Sequence, residues 1–289
     1  HRDLHSFPTR RSSDLCPNGP VDARDFNPDA KPGYPNGKDK DGDDLRTELE
    51  PLLDDLQERL FAAGTRSPQA PRVLLILQGL DTAGKGGTIR HVIGMMDPQG
   101  VHIHSFKRPT AEELAHDFLW RIERELPRSG QVGIFDRSHY EDVLIQRVDH
   151  LAPPEEIERR YGAINDFEAK LIASGTVIVK CFLTISRGEQ KQRLAERLTN
   201  PEKYYKYNPG DLDVALKWES YMDAYSIALT RCNTDAAPWF VVPANRKWYR
   251  NWAITNLIIE ALGSLNLGWP AANFDVKAER QRLEALPSK

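Results

Sequence analysis

Arg72-Val-Leu-Leu-Ile-Leu-Gln-Gly-Leu-Asp-Thr-Ala-Gly-Lys85 decides how the rest of the chain is read. Its first half is a nearly continuous apolar run, the pattern of a strand covered on both faces in a parallel sheet. Gly79 to Lys85 then has the G-x4-G-K spacing of a phosphate-binding loop, and a helix is expected from about Gly86 to Met96. Glycines at 79, 84, 86 and 87 let backbone N–H groups turn onto phosphate oxygens, with Ala83 and Thr88 completing the cradle. The helix N-terminus adds partial positive charge. Lys85 supplies a full charge to bridging or terminal phosphates. A glycine-rich turn with a surface lysine would match the same short pattern, so the surrounding sequence has to separate the two readings.

The strand-then-helix alternation repeats in both directions. Upstream, Leu49, Leu52, Leu53, Leu56 and Leu60 recur at helical spacing between Leu45 and Ala63, with Pro51 marking a kink or a start. Downstream, strands are expected at 101–106, 131–136, 176–184 and 239–242. Helices are expected at 111–125, 153–174, 188–198, 212–233 and 251–265. Alternation of this kind means an α/β protein with a parallel sheet between two helical layers. Leu257, Ile258 and Leu262 of the last helix suit either a core or an interface. The domain is expected over 45–270, with an extended arm or linker at 16–44 and a tail at 271–289. Residues 1–15, HRDLHSFPTRRSSDL, have neither period and read as a non-native tail of sequencing-adapter character.

The loop departs from its usual form where Ser or Thr should follow the lysine, because Gly86 stands there. A metal ion must then find another oxygen. Asp81, inside the loop, is the candidate, since a carboxylate there would repel phosphate unless a cation lay between them. It also suits a turn or helix cap. Val132-Gly-Ile-Phe-Asp136 is a second apolar strand ending in a carboxylate, the Walker B arrangement, which places Asp136 beside the loop. Arg137 can reach a transferring phosphoryl group, and His139, Tyr140, Glu141 and Asp142 extend the polar cluster. Residues 187–215 read as a lid. Arg193 and Arg197 share one helix face there, and Lys203 and Lys206 follow. A solvated charged helix partnered by Glu189, Glu196 and Glu202 would look similar. Lys107 and Arg108 add charge past the second strand.

Bulk properties narrow the field. The longest apolar run, Val73 to Leu77, is far too short to cross a bilayer. A net charge of -3 gives no general attraction to nucleic acid or membrane, so anion binding must be local. Cys16, Cys181 and Cys232 are odd in number and widely spaced, which argues against a disulfide framework or zinc site and suits a reducing cytoplasm. No apolar signal region opens the chain.

Gly79-Leu-Asp-Thr-Ala-Gly-Lys-Gly-Gly-Thr-Ile89 resembles the loop of the polyphosphate kinase 2 family. Phe106-Lys-Arg-Pro-Thr110, Phe135-Asp-Arg-Ser-His-Tyr-Glu-Asp-Val143 and the 190–197 lid resemble it too. So do Asn200-Pro-Glu-Lys203, Ala237-Pro-Trp239 and Pro243-Ala-Asn-Arg-Lys-Trp-Tyr-Arg-Asn-Trp252, giving a likeness from about Leu45 to Leu265. The resemblance implies a three-layer αβα P-loop kinase fold with a helical lid, of the thymidylate-kinase-like kind. It implies Mg²⁺-dependent transfer, with Mn²⁺ able to substitute, between inorganic polyphosphate and nucleoside mono- or diphosphates. Under it Asp81 and Asp136 hold the metal, and Lys85, Arg137 and Arg197 stabilise the transferred phosphoryl. Arg193 and Glu141 join the binding set, and Lys107, Arg108, Lys203 and Lys206 line a basic polyphosphate channel. Ser138-His-Tyr-Glu-Asp142 is most similar to the class III subtype, which handles both acceptors. A homo-oligomer, dimer or tetramer, is expected by the same likeness. An ATP-dependent nucleotide or small-metabolite kinase and a non-catalytic nucleotide-binding regulator are the alternatives.

Overall fold

The strand Arg72–Gln78 lies at the centre of a five-stranded, all-parallel sheet and is buried along nearly its whole length. The computed structural model describes residues 15–35 and 42–287; residues 1–14 of the proposed non-native tail lie outside them. In chain order the elements are α1 (Gly42–Arg66), β1 (Arg72–Gln78), α2 (Lys85–His91), β2 (Val101–Ser105), α3 (Ala111–Leu114) and α4 (Trp120–Arg124). Then come β3 (Val132–Asp136), α5 (Ile145–Val148), α6 (Pro154–Ala173), β4 (Thr176–Thr184), α7 (Arg187–Thr199) and α8 (Gly210–Leu216). The chain continues through α9 (Trp218–Arg231), β5 (Trp239–Pro243), α10 (Lys247–Ser264) and α11 (Val276–Glu284).

The strand order is β2-β3-β1-β4-β5, so β1 is flanked by strands that come later in the chain. Connections leave β1 in one direction and return across it to β4. This creates a switch point at the carboxyl edge, where open α/β sheets bind ligands. Helices α1 and α10 pack on each other, and α10 lies on β1, β4 and β5. Helix α6 packs on β4, with α5 beside α6 and α9 beside α5. Leu257, Ile258 and Leu262 are core residues of α10.

Several boundaries differ from the periodicity. Helix α1 runs through Pro51 instead of starting there. The expected helix at 111–125 is two short ones, because the Asp117 carboxylate accepts from Leu119 N–H (3.0 Å) and competes with helical bonding. The helix expected at 212–233 is interrupted at Lys217. The tail carries α11, which has no buried residue and is capped by Asp275. Of the arm, residues 16–35 dock on the domain. Cys16 N–H donates to Trp239 O (2.8 Å), Ala23 N–H to Ser226 Oγ (2.9 Å), and Tyr249 Oη to Pro32 O (2.8 Å).

Beneath the carboxyl edge lies a buried ionic network. Lys180 of β4 and Glu168 of α6 are fully buried and paired at 2.7 Å. Lys180 also donates to Tyr140 Oη (2.9 Å) and Cys232 O (2.7 Å), and Tyr140 Oη donates to Glu168 (2.8 Å). His139 Nε2 lies 3.2 Å from Glu168 Oε1, and burial pushes this imidazole toward the neutral form. Burial opposes charge on Glu168, but Lys180 and His139 outweigh it and hold the carboxyl below its usual range. The network pins the 3₁₀ turn His139–Asp142, which follows Asp136 and Arg137 after its capping residue Ser138. Glu168→Ala would strand the Lys180 cation in the core and should cost about 3–5 kcal/mol of unfolding free energy, measured by urea denaturation.

Candidate active site

The phosphate loop joins β1 to α2, and its backbone is held in conformations that few residues adopt. Gly79 and Gly84 have φ of 151° and 112°, and Thr82, a non-glycine, has φ of 69°. A Cβ at Gly79 would lie 2.7 Å from Leu183 O, so β4 presses directly on the loop. Arg193 of α7 holds the loop from behind. It donates to Thr82 O (2.8 Å), Ala83 O (3.3 Å), Ala244 O (2.7 Å) and Asn245 O (2.9 Å), and pairs with Glu189 (2.6 Å).

Pairing of β3 with β1 sets Asp136 opposite Leu77, two residues before Gly79 opens the loop. Arg137 N–H donates to Leu77 O (3.1 Å), and Arg137 itself has φ of 65°. A non-glycine residue in this region stores strain, here at the centre of the site. Its guanidinium donates to Asp81 Oδ1 at 2.8 Å, which brings the two strand ends together. Burial disfavours the Asp81 carboxylate, but Lys85, Arg137 and Arg197 outweigh this and keep its pKa below the ordinary value. Lys85 is buried and donates to Gly79 O (2.6 Å) and Leu80 O (3.3 Å). Burial, and then Arg137, lower its pKa. Gln78, with its amide oriented to satisfy both neighbours, donates to Glu141 Oε1 (3.0 Å) and accepts from Ser138 N–H (3.1 Å). Burial pushes the Glu141 carboxyl up while Arg137 and Lys85 pull it down.

A cavity of about 920 Å³ opens above these groups. Asp81, Lys85, Asp136 and Arg137 line its floor, with Gly84, Gly86 and Gly87 beside them. Lys107 and Arg108 line one rim, and Arg197 and Lys206 another. Arg197 donates to Lys206 O (2.9 Å) and pairs with Asp211 Oδ2 (3.0 Å). A second cavity of about 370 Å³ shares Phe106, Lys107, Arg108 and Arg137 with the first and adds Glu141, Asp142 and apolar Ile145 and Leu151.

Not every residue singled out in the sequence faces this space. Arg193 lies behind the loop, spending its donors on backbone carbonyls, and Ala83 within the loop is buried. Thr88 is fully buried and bonds Gly84 O (3.3 Å). Lys203 pairs with Glu196. Sequence reasoning missed Arg90, Ser105, Tyr205 and Asn208 on the cavity wall. It also missed Asp211, the partner of Arg197, and Arg250. A signal did exist for the ionic network: one lysine inside the apolar run 176–184 needs a buried counter-charge.

A divalent cation fits the carboxylates. Asp136 Oδ1 is buried with no hydrogen-bond partner, while Oδ2 accepts weakly from Ser105 Oγ (3.4 Å). Among the described residues no group of three or more His, Cys, Asp or Glu could hold a metal. A donor set of two carboxylates suits a hard cation that takes its remaining oxygens from phosphate and water.

Fold and site together define an αβα P-loop kinase. The polyphosphate kinase 2 family model matches residues 38–267, and the chain belongs to that family. It is 44% identical over 254 residues to an AMP/ADP-polyphosphate phosphotransferase of Meiothermus ruber, covering 88% of this chain and 93% of the relative. It is 42% identical over 238 residues to an ADP-polyphosphate phosphotransferase of Rhodopseudomonas palustris, covering 78% and 80%. The crystal structure of polyphosphate kinase 2 from Arthrobacter aurescens superposes with a TM-score of 0.91 at 51% identity, covering 96% of this chain and 98% of that one.

Asp142 gives the site a measurable pH signature. Burial pushes its carboxyl from 3.8 up to about 6, against the pull of Arg160 and Arg121 and with Glu141 and Asp117 adding repulsion. A raised carboxyl pKa means that the folded state holds the proton more tightly, so ionisation destabilises the fold as pH rises through this window. Asp142→Asn should therefore gain stability relative to the parent between about pH 4 and about pH 7, by about 2–3 kcal/mol in denaturation curves.

Proposed function

We propose that this chain is a polyphosphate:nucleotide phosphotransferase, moving a phosphoryl group between inorganic polyphosphate and nucleoside mono- or diphosphates. ADP and ATP, or GDP and GTP, are the products in the forward direction. The observation that carries this reading is the 920 Å³ cavity. It joins the phosphate loop and paired carboxylates to cations from three separate segments, Lys107–Arg108, Arg197 and Lys206. That spread of charge suits a long polyanion better than one terminal phosphate. The adjoining 370 Å³ cavity, with apolar Phe106, Ile145 and Leu151 on its wall, suits the acceptor nucleotide. The two spaces meet at Arg137, where a phosphoryl group would pass between substrates.

Asp136 and Asp81 would hold Mg²⁺, or Mn²⁺ in its place. The ion would neutralise phosphate charge and fix the reacting oxygens. Lys85 exchanges its carbonyl acceptors for phosphate oxygens. Arg137 and Arg197 place charge where it develops on the transferring group. Glu141 orients Arg137 from the side of the smaller cavity. The sequence from Ser138 to Asp142 supports class III character, with both mono- and diphosphates as acceptors.

Among the described residues no helix is long and apolar enough to cross a membrane. The three cysteines are free thiols, all buried, which supports a cytoplasmic location. Trp269, Phe274, Leu283 and Leu286 are exposed near the C-terminus and support self-association.

Incubation with polyphosphate, Mg²⁺ and either AMP or ADP, without ATP, should yield the next higher nucleotide. Product from ATP alone as donor would instead mark an ATP-dependent kinase. Asp136→Asn should lower kcat by about a hundredfold or more while nucleotide affinity changes little, as expected for a group acting mainly on the transition state. Equal losses in kcat and in nucleotide binding, read by calorimetry, would contradict the metal-holding role.

A further inference from the structure

Behind the phosphate loop lies a second buried guanidinium, and among the described residues no carboxylate pairs with it. Arg250 of α10 is 3% exposed. Among the described residues its side chain donates to Asn251 Oδ1, from Nη2 (2.7 Å) and Nε (3.2 Å). Arg193, by contrast, has Glu189 at 2.6 Å and four carbonyl acceptors. Burial, and then the neighbouring Arg193, lower the Arg250 pKa to about 9, so it remains a cation at neutral pH.

Its position is set by glycines. A Cβ at Gly84 would overlap Arg250 Nη1, and one at Gly87 would lie 2.9 Å from Nη2. Gly84 and Gly87 also line the 920 Å³ cavity, so a single layer of backbone separates the guanidinium from that space. A buried charge without a counter-ion is costly to the fold. Here it lies against the element that binds a polyanion.

We infer that Arg250 is a positioning residue for the phosphate chain, its charge acting through the Gly84–Gly87 backbone on phosphates that serve as its counter-charge. It touches no substrate atom. Its field strengthens phosphate binding in a low-dielectric setting where screening by salt is weak. The inference rests on the polyphosphate reading above. It also accounts for the absence of side chains at 84 and 87, since any Cβ there would push the charge away from the loop.

The test compares the parent protein with R250M and R250K by thermal melting, with and without inorganic tripolyphosphate at fixed free Mg²⁺, and by steady-state kinetics. Without tripolyphosphate, R250M should melt no lower than the parent, because a buried unpaired charge has been removed. The tripolyphosphate-induced rise in melting temperature should shrink, and KM for polyphosphate should increase about tenfold with kcat nearly unchanged. R250K, which keeps the charge, should keep most of the ligand-induced rise. An R250M protein that melts lower or fails to fold makes Arg250 a structural residue and overturns the inference. So does an R250M protein that is stabilised by tripolyphosphate as strongly as the parent, or an R250K protein that loses the effect as R250M does. If the parent itself is not stabilised and forms no nucleotide from polyphosphate, the donor assignment fails and this inference falls with it.

Discussion

The pairing of β1 with β3 is the constraint on which the site depends. It aligns Leu77 with Asp136, and the Arg137 N–H bond to Leu77 O extends the pairing one residue past the strand. Because side chains alternate with a period of two, a slip of one residue would turn Asp136 and every core residue of β3 to the wrong face. The register therefore cannot drift without exchanging Val132 and Ile134 with Phe135 between the two covered faces of the sheet, where each is packed. Apolar burial fixes the strands, and the strands fix the distance between the phosphate loop and the second carboxylate. The positive φ of Arg137 then bends the chain so that its guanidinium returns to Asp81.

A second layer of order comes from charges placed where water cannot reach. Lys180 and Glu168 sit in the sheet-to-helix interface, and their shared partner Tyr140 belongs to the turn that follows Arg137. Such a pair contributes little net stability over apolar packing, because desolvation offsets its attraction. What it supplies is geometry: Tyr140 must bring its hydroxyl to Lys180 and Glu168 to make these bonds. The turn carrying Glu141 and Asp142 is held to the core by that requirement, and Gln78 links it back to β1.

The sequence made the central parts of this arrangement legible. A continuous apolar run followed by G-x4-G-K can form few structures, and Phe135-Asp136 at a strand end reads the same way in almost any α/β sheet. Hence Asp81, Lys85, Asp136 and Arg137 were visible as a group, and the structure brings them to one cavity floor. Arginine roles were less legible, because charge and spacing do not reveal which side of a loop a side chain occupies. Arg193 and Arg197 share a helix face, yet one clamps loop carbonyls from behind while the other reaches the cavity rim. Contacts between residues far apart in sequence, such as Arg250 with Gly84, leave no periodic trace. Short helices were missed where an Asx turn competed locally, as at Asp117.

The cations of the site share a further property. Lys85 donates to Gly79 O and Leu80 O, Arg137 to Asp81, and Arg197 to Lys206 O and Asp211. Each is held in place by an acceptor within the protein. Under the proposed function, substrate affinity would be a difference, the strength of the new bonds to phosphate less that of the internal bonds they replace. Such an arrangement limits how tightly any one phosphate is held, which suits a donor whose successive phosphates must advance through the site. It also keeps the cations ordered, so little side-chain entropy is lost when they change partners. Among the described residues Arg250 has no such carboxylate, and under the inference above its charge would be the part of the field that this exchange leaves uncancelled.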